Sequence, residues 1–245
     1  MQRLLNIGAF VCATLCLAVT FLAAGFFACA GTSVPTQLLA QAFVTSNVSP
    51  YTHDELVKSA VAIYDYSFGN HDISALNECM DEIYSSAQQD GRAPQSSTGA
   101  QSEEYRLDSA AISHLDDCYA LVQTVRVPLI VIAALAVAAL AHVGVRCGRR
   151  HVGRALLCAG ALTLALFLVA GAAALIDFNA FFSFFHGLFF PQGNWTFWYR
   201  SLLICSLPEG FWMGMGIIWL ATTVLISILS CGIGAALVRK NRAGA

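Results

Sequence analysis

The sequence predicts an all-α integral membrane protein with four transmembrane helices, a helical extracytoplasmic cap and an aromatic-rich outer loop. Three observations lead there. Hydrophobic residues make up 57% of the 245 and charged residues 11%, with a mean hydropathy of +0.65, too apolar for an ordinary soluble domain. Four apolar runs, 4–30, 127–145, 155–176 and 211–238, each approach or exceed the roughly 20 residues that span a hydrocarbon core. The charges between these runs segregate by sign. Thirteen Lys and Arg against fifteen Asp and Glu leave a net charge of −2, so no dense basic surface exists for nucleic acid.

The segregation sets the expected orientation, because short flanking loops rich in Lys and Arg stay cytoplasmic. Arg3, the turn carrying Arg146, Arg149, Arg150 and Arg154, and the tail with Arg239, Lys240 and Arg242 lie on one side, and no acidic residue joins them. All fifteen acidic residues fall in the two opposite segments. Both termini are therefore expected in the cytoplasm. The first run ends at Ala28-Cys29-Ala30, which resembles a signal-peptidase site. Its 27-residue apolar stretch exceeds the 7 to 15 residues of a signal-peptide core, which favours a retained span.

The chain then divides into a first span (1–30), an extracytoplasmic helical cap (31–126), a second and third span joined by a basic cytoplasmic turn (127–176), an aromatic interfacial outer loop (177–210), and a fourth span with a basic tail (211–245). Within the cap, Thr52-His53-Asp54-Glu55 reads as a capping box opening a helix to about Phe68. Asp72 is placed to start a second helix reaching Tyr84. Residues 85–102 run to Ser, Gln, Gly and Pro, the composition of a flexible loop. A third helix is expected over about 103–125, with Leu107, Ala111, His114, Cys118, Leu121 and Val125 on one apolar face, and Pro128 marking its junction with the second span.

Seven of the thirteen residues from Phe178 to Phe190 are Phe, with His186 among them, followed by Trp195, Trp198, Tyr199 and Trp212. Such a segment belongs at a membrane interface. His114 on an apolar helix face and His186 in the aromatic belt are the two candidate catalytic residues, since neutral imidazole exchanges protons near pH 7 and burial favours the neutral form. The alternative is a pair of hydrogen-bonded structural histidines. His53 and His71 read as solvated loop residues, and His142 and His151 fall at the cytoplasmic end. Asp117, three residues after His114, is placed to orient it. Tyr66 can hydrogen-bond at the site or pack the cap, and Glu209 can bind an ammonium group or cap the fourth span.

Two histidines plus Asp117 or Glu209 would suit zinc, but no H-E-x-x-H pattern occurs, so no metal is expected. No G-x-S-x-G nucleophile elbow is present either. None of the nine cysteines forms a C-x-x-C pair. A Cys79 to Cys118 disulfide remains open from spacing alone.

The order of spans, the stretch Ile112-Ser113-His114-Leu115-Asp116-Asp117, the stretch Phe185-His186-Gly187-Leu188-Phe189-Phe190-Pro191 leading to Asn194-Trp195, and Leu207-Pro208-Glu209-Gly210-Phe211 together resemble the bacterial lipoprotein intramolecular transacylase (Lit) family. The resemblance implies a cofactor-free acyltransferase in the bacterial cytoplasmic membrane, with its site at the extracytoplasmic face and diacylated lipoproteins and membrane phospholipid as partners. It would move the sn-2 acyl chain of a diacylglyceryl-modified lipoprotein to the amine of that protein's own N-terminal cysteine, giving the lyso form. His114 would be the general base and His186 would stabilise the oxyanion, or the two would exchange these roles. Asp117, Asn194, Trp195, Phe190, Glu209 and Tyr66 would meet the substrate, Asn194 as a further oxyanion donor. The competing reading is a non-enzymatic membrane scaffold or lipoprotein-binding module.

Overall fold

The structure, a computed structural model, describes residues 1–95 and 102–240. Among these the regular elements are helical: α1 (Gln2–Ala30), α2 (Ser33–Phe43), α3 (His53–Phe68), α4 (Ile73–Gln89), α5 (Ser109–Cys147), α6 (Arg149–Ile176), α7 (Phe178–Phe189), α8 (Leu202–Ser206) and α9 (Glu209–Lys240), with one 3-10 turn at Ser46–Val48. Four of them, α1, α5, α6 and α9, are long and apolar enough to cross a membrane. The chain forms two compact units. One takes Met1–Ala28, Thr124–Phe181 and 218–240, and the other the described part of Cys29–Gln123 with Phe182–Ile217.

In the first unit small residues let helices approach closely, the usual device where lipid leaves no hydrophobic force between apolar surfaces. A Cβ on Gly153 would lie 2.6 Å from the Gly234 carbonyl oxygen, and one on Gly234 would lie 2.6 Å from that of Gly153. These glycines set the α6–α9 crossing. The Ser230 hydroxyl donates to the Leu156 carbonyl across the same interface (3.0 Å). Opposite, Trp219 of α9 donates its indole N–H to Leu22 O of α1 (2.9 Å), and Gly25 leaves room for the Trp219 and Thr223 side chains. Leu166, Leu168, Val169, Ile228 and Leu229 remain exposed, as a surface solvated by lipid requires.

The second unit has a buried core in which Leu56, Ala60 and Ile63 of α3 meet Leu76, Met80, Ile83 and Ala87 of α4, with Leu115, Leu202 and Phe211 completing it. The Thr52 hydroxyl accepts from Glu55 N and the Glu55 carboxylate accepts from Thr52 N, the reciprocal cap read from the sequence. Glu55 also receives both terminal nitrogens of Arg92 (2.8 and 2.9 Å), and Arg92 donates to Pro50 O. Burial would raise the Glu55 carboxyl, but the Arg92 guanidinium and the Thr52 amide outweigh it and hold the group at about 2.

Four expectations change. The segment 85–102 is not loose from its start: α4 runs on to Gln89, and Tyr84 and Gln88 both donate to Pro94 O, which buries Ala93 in the core. The rest of that predicted loop, 96–101, lies outside the described residues. The third cap helix starts at Ser109 rather than near Glu103, because Asp108 accepts from Ala111 N and caps it (2.8 Å). It does not end at Pro128, which forfeits one backbone hydrogen bond while the ladder on both sides carries the helix to Cys147. At about 1.5 Å per residue this helix is ~58 Å long, twice a hydrocarbon core. Its apolar stretch from Val127 to Cys147 is by itself long enough to cross that core. Finally, the aromatic loop contains helix α7, started by Asp177, whose carboxylate accepts from Ala180 N (2.9 Å).

Candidate active site

The second unit brings the two singled-out histidines together. His114 lies one turn into α5, and His186 lies near the end of α7. Both are buried, at 8% and 9% exposure, with ring centroids 6.1 Å apart. Phe190 touches both, its ring 4.8 Å from His114 and 5.8 Å from His186. Trp195 packs at 5.2 Å from His186 and Phe197 at 5.9 Å from His114. The result is a pair of imidazoles in an aromatic, water-poor pocket.

Helix periodicity places His186 in register. Phe182, four residues before it and so on the same helix face, and its chain neighbour Phe185 flank its ring at 3.8 and 5.7 Å, while Phe184 and Leu188 stay exposed. His186 Nδ1 lies 3.0 Å from the Phe182 carbonyl oxygen. A carbonyl only accepts, so Nδ1 carries the proton and the neutral ring keeps its lone pair on Nε2. Burial lowers the His186 pKa from the ordinary 6.5, with the Phe182 carbonyl opposing. His114, in the extramembrane part of α5, is pulled down to about 4 by burial and by His186, with Asp117 opposing. Both rings are therefore neutral near pH 7.

His114 Nε2 is 3.7 Å from Cys118 Sγ one turn later, and its Nδ1 is buried without a hydrogen-bond partner. The Cys118 thiol is pushed up to about 12 by burial and by Asp117, so it keeps its proton. The contact can run either way, because a thiol sulfur also accepts; with the S–H donated to Nε2, the His114 proton lies on the orphaned Nδ1.

Asp117 meets neither imidazole by hydrogen bond. Its Oδ2 accepts from Gln192 Nε2 (2.6 Å) and Asn194 Nδ2 (2.8 Å), and the Asn194 amide also reaches the Ser113 hydroxyl (3.3 Å). These bonds fasten the turn after α7 to α5. Gly193 makes that turn possible, with φ at +79°, in the left-handed region that glycine occupies without strain. Because a carboxylate is acceptor-only, the Asn194 NH2 must face Asp117, and Asn194 Oδ1 is left buried without a partner. The Asn194 NH2, expected from the resemblance to be an oxyanion donor, is engaged by Asp117 and Ser113 in this structure.

Neither Tyr66 nor Glu209 hydrogen-bonds or stacks with His114 or His186 among the described residues. The Tyr66 hydroxyl donates to Asp116, and its ring stacks on His71 at 4.3 Å. His71 is not a solvated loop residue: it is sandwiched against Tyr119 at 3.9 Å and donates from Nδ1 to Tyr66 O (2.9 Å). Glu209 is the exposed first residue of α9, with no ion pair among the described residues. Cys79 and Cys118 are both free thiols. Among the described residues no three His, Cys, Asp or Glu side chains cluster to hold a metal. Gln192 and Phe182 were missed. Phe182 was legible once α7 is drawn as a helix, since it stands four residues before His186, whereas Gln192 acts through a turn that periodicity does not reach.

Residues 93–212, a little under half of the chain and spanning both histidines, match the family model described as lipoprotein intramolecular transacylase Lit. The resemblance to the Lit family is borne out. The fold agrees along the full length. The structure of the membrane-integral lipoprotein intramolecular transacylase Lit from Bacillus cereus aligns with a TM-score of 0.76 at 17% identity, covering 99% of this chain and 100% of that one. A histidine-to-arginine variant of the same Bacillus cereus protein aligns with a TM-score of 0.69 at 16% identity, over 100% of this chain and 96% of that one. A histidine-to-alanine variant gives 0.69 and 16%, over 99% and 97%. No curated protein sequence matches. The family model matches the part of the chain that carries both histidines, and the solved structures show that the fold is shared.

Proposed function

We propose that the chain moves the sn-2 acyl chain of a diacylglyceryl-modified lipoprotein onto the amine of that lipoprotein's N-terminal cysteine. The observation that carries the reading is the pair of buried neutral imidazoles 6.1 Å apart across Phe190, one with a lone pair free at Nε2 and the other with an unpartnered Nδ1. The amine has a pKa of about 7.7 to 8.0 and must lose its proton before it attacks. A neutral imidazole, its pKa lowered from the ordinary 6.5 by burial, is suited to take the N–H proton released as the amine attacks.

The tautomers favour the exchanged assignment, with His186 Nε2 as the base and the His114 Nδ1–H polarising the ester carbonyl. The neutral amine, its ammonium proton already lost to solvent, attacks the carbonyl carbon and passes one of its remaining N–H protons to His186. The tetrahedral oxyanion is held by His114. The C–O bond then breaks, and the proton on His186 goes to the departing glycerol oxygen. One C–N bond forms and one C–O bond breaks, with no water consumed and no change of mass. The free Asn194 carbonyl oxygen is suited to accept an N–H of the attacking amine and aim it. Because ester and amine belong to one molecule, orientation alone offsets about 7 to 11 kcal/mol of the barrier. Phe182, Phe185, Phe190 and Trp195 keep water, the competing nucleophile, away.

The charge pattern supports a multi-pass protein of the bacterial cytoplasmic membrane with both termini inside and the histidine pair outside. The reaction is tested with purified protein and a synthetic diacylated lipopeptide, using tandem mass spectrometry to locate the acyl chain. Appearance of the N-acyl product at constant mass, lost in His114→Ala and in His186→Ala, is the expected result. A wild type that binds the lipopeptide and leaves its acyl chains in place would point instead to a lipoprotein-binding module.

A further inference from the structure

The first unit holds a cavity of about 600 Å³, formed where the start of α1, the end of α5 and the start of α6 meet. Arg3, His151 and Arg154 line it together with Ile7, Phe10 and Val143. The first unit has no Asp or Glu apart from Asp177 at the far end of α6, and among the described residues neither arginine has a carboxylate within ion-pair distance. Two guanidiniums sharing one groove repel each other and call for an anion from outside the chain. Guanidinium geometry suits phosphate oxygens in particular.

The rest of the lining says what the anion is attached to. Ile7 and Phe10 follow Arg3 by one and two turns along α1, and Val143 precedes Cys147 by one turn on α5, so the wall becomes apolar toward the middle of the spans. His151 donates from Nδ1 to Cys147 O (2.7 Å), which fixes its ring at the polar end. Asn6, also in the lining, accepts from His142 Nε2 (3.2 Å) and stays out of competition for the arginines. We propose that this groove is a binding site for an anionic phospholipid, its phosphate between Arg3 and Arg154 and the first part of an acyl chain along Ile7, Phe10 and Val143. A free phosphate would leave the apolar wall uncovered. The site lies in the unit that lacks the histidine pair and does not rest on the transacylase reading.

The test uses the full chain in mixed micelles with equimolar phosphatidylglycerol and phosphatidylcholine, and native mass spectrometry to count lipids retained after partial delipidation. Wild type is expected to retain phosphatidylglycerol selectively. Arg3→Gln and Arg154→Gln should each lower that preference about fivefold, while Arg239→Gln, the same charge lost outside the groove, leaves it unchanged. Elution profile and thermal midpoint establish that each variant is folded, and Arg154→Lys should keep part of the preference. Equal retention of both lipids by wild type, an equal loss in Arg239→Gln, or displacement by millimolar inorganic phosphate would each overturn the proposal.

Discussion

At His186 one hydrogen bond decides the chemistry the ring offers. The Phe182 carbonyl fixes the proton on Nδ1, so Nε2 is the basic nitrogen, and burial holds the ring neutral. Removing a positioned general base lowers turnover by about 10²- to 10⁴-fold, the loss expected for His186→Ala and for His114→Ala, with His142→Ala close to wild type in the same assay. The pH profile follows with its sign. The base acts as the neutral ring, and the His186 pKa is lowered, so activity should persist below pH 6.5 and fall only as the pH drops through the lowered value. Toward higher pH the rate should rise as the substrate amine loses its proton near 7.7 to 8.0. An enzyme limb centred above 6.5 would contradict the buried, neutral assignment. Asp117 holds Gln192 and Asn194 and touches neither imidazole, so in the proposed reaction it is a positioning residue. Asp117→Ala should release that turn and lower kcat by about tenfold or more with the pH profile unshifted, whereas a direct partner of His114 would move the acid limb.

Among the elements, α3 and the α6–α9 crossing carry the clearest tests. Thr52 and Glu55 close the start of α3, and Thr52→Ala is expected to lower stability by about 1 kcal/mol in a thermal or denaturant titration. Glu55 is held at about 2, below the ordinary carboxylate value of 4.5, so its contribution is complete above pH 4.5 and is lost as the pH falls toward 2. The stability gap between wild type and Glu55→Gln should therefore be wide at neutral pH and narrow across that interval; a constant gap would contradict the Arg92 pairing. At the crossing, Gly153→Val would drive a side chain into the Gly234 backbone, and a loss of about 1 to 3 kcal/mol or failure to assemble is expected. The sequence showed α3 through its cap and the four spans through apolar length, because both signals are local. It did not show α7 as a helix, since a run of Phe that is apolar all round hides its period. Nor did it carry α5 through Pro128, where the apolar run overrides the usual stop.

For the whole molecule, the histidine pair is a product of tertiary folding. The two rings stand 72 positions apart in the chain, each legible as a candidate from its apolar surroundings, and only the packing of α7 against the start of α5 brings their centroids to 6.1 Å. For Tyr66 the sequence left open a place at the site or in the cap, and it joins the His71 and Asp116 cluster, because residue type reports capacity to hydrogen-bond and not direction. Orientation across the membrane is a property of the full charge pattern. A cysteine introduced near His53 should react with an impermeant thiol reagent in intact cells, and one beside Arg150 should not. The central claim, transfer within one lipoprotein by this histidine pair, is tested most directly in a host that makes only diacylated lipoproteins. The measurement is tandem mass spectrometry of one abundant lipoprotein with and without this chain. Acyl on the cysteine amine at unchanged total mass, absent with His114→Ala and His186→Ala, is the outcome the account requires. An unchanged lipoprotein in the presence of folded wild-type protein, or an N-acyl product that survives loss of both histidines, would contradict it.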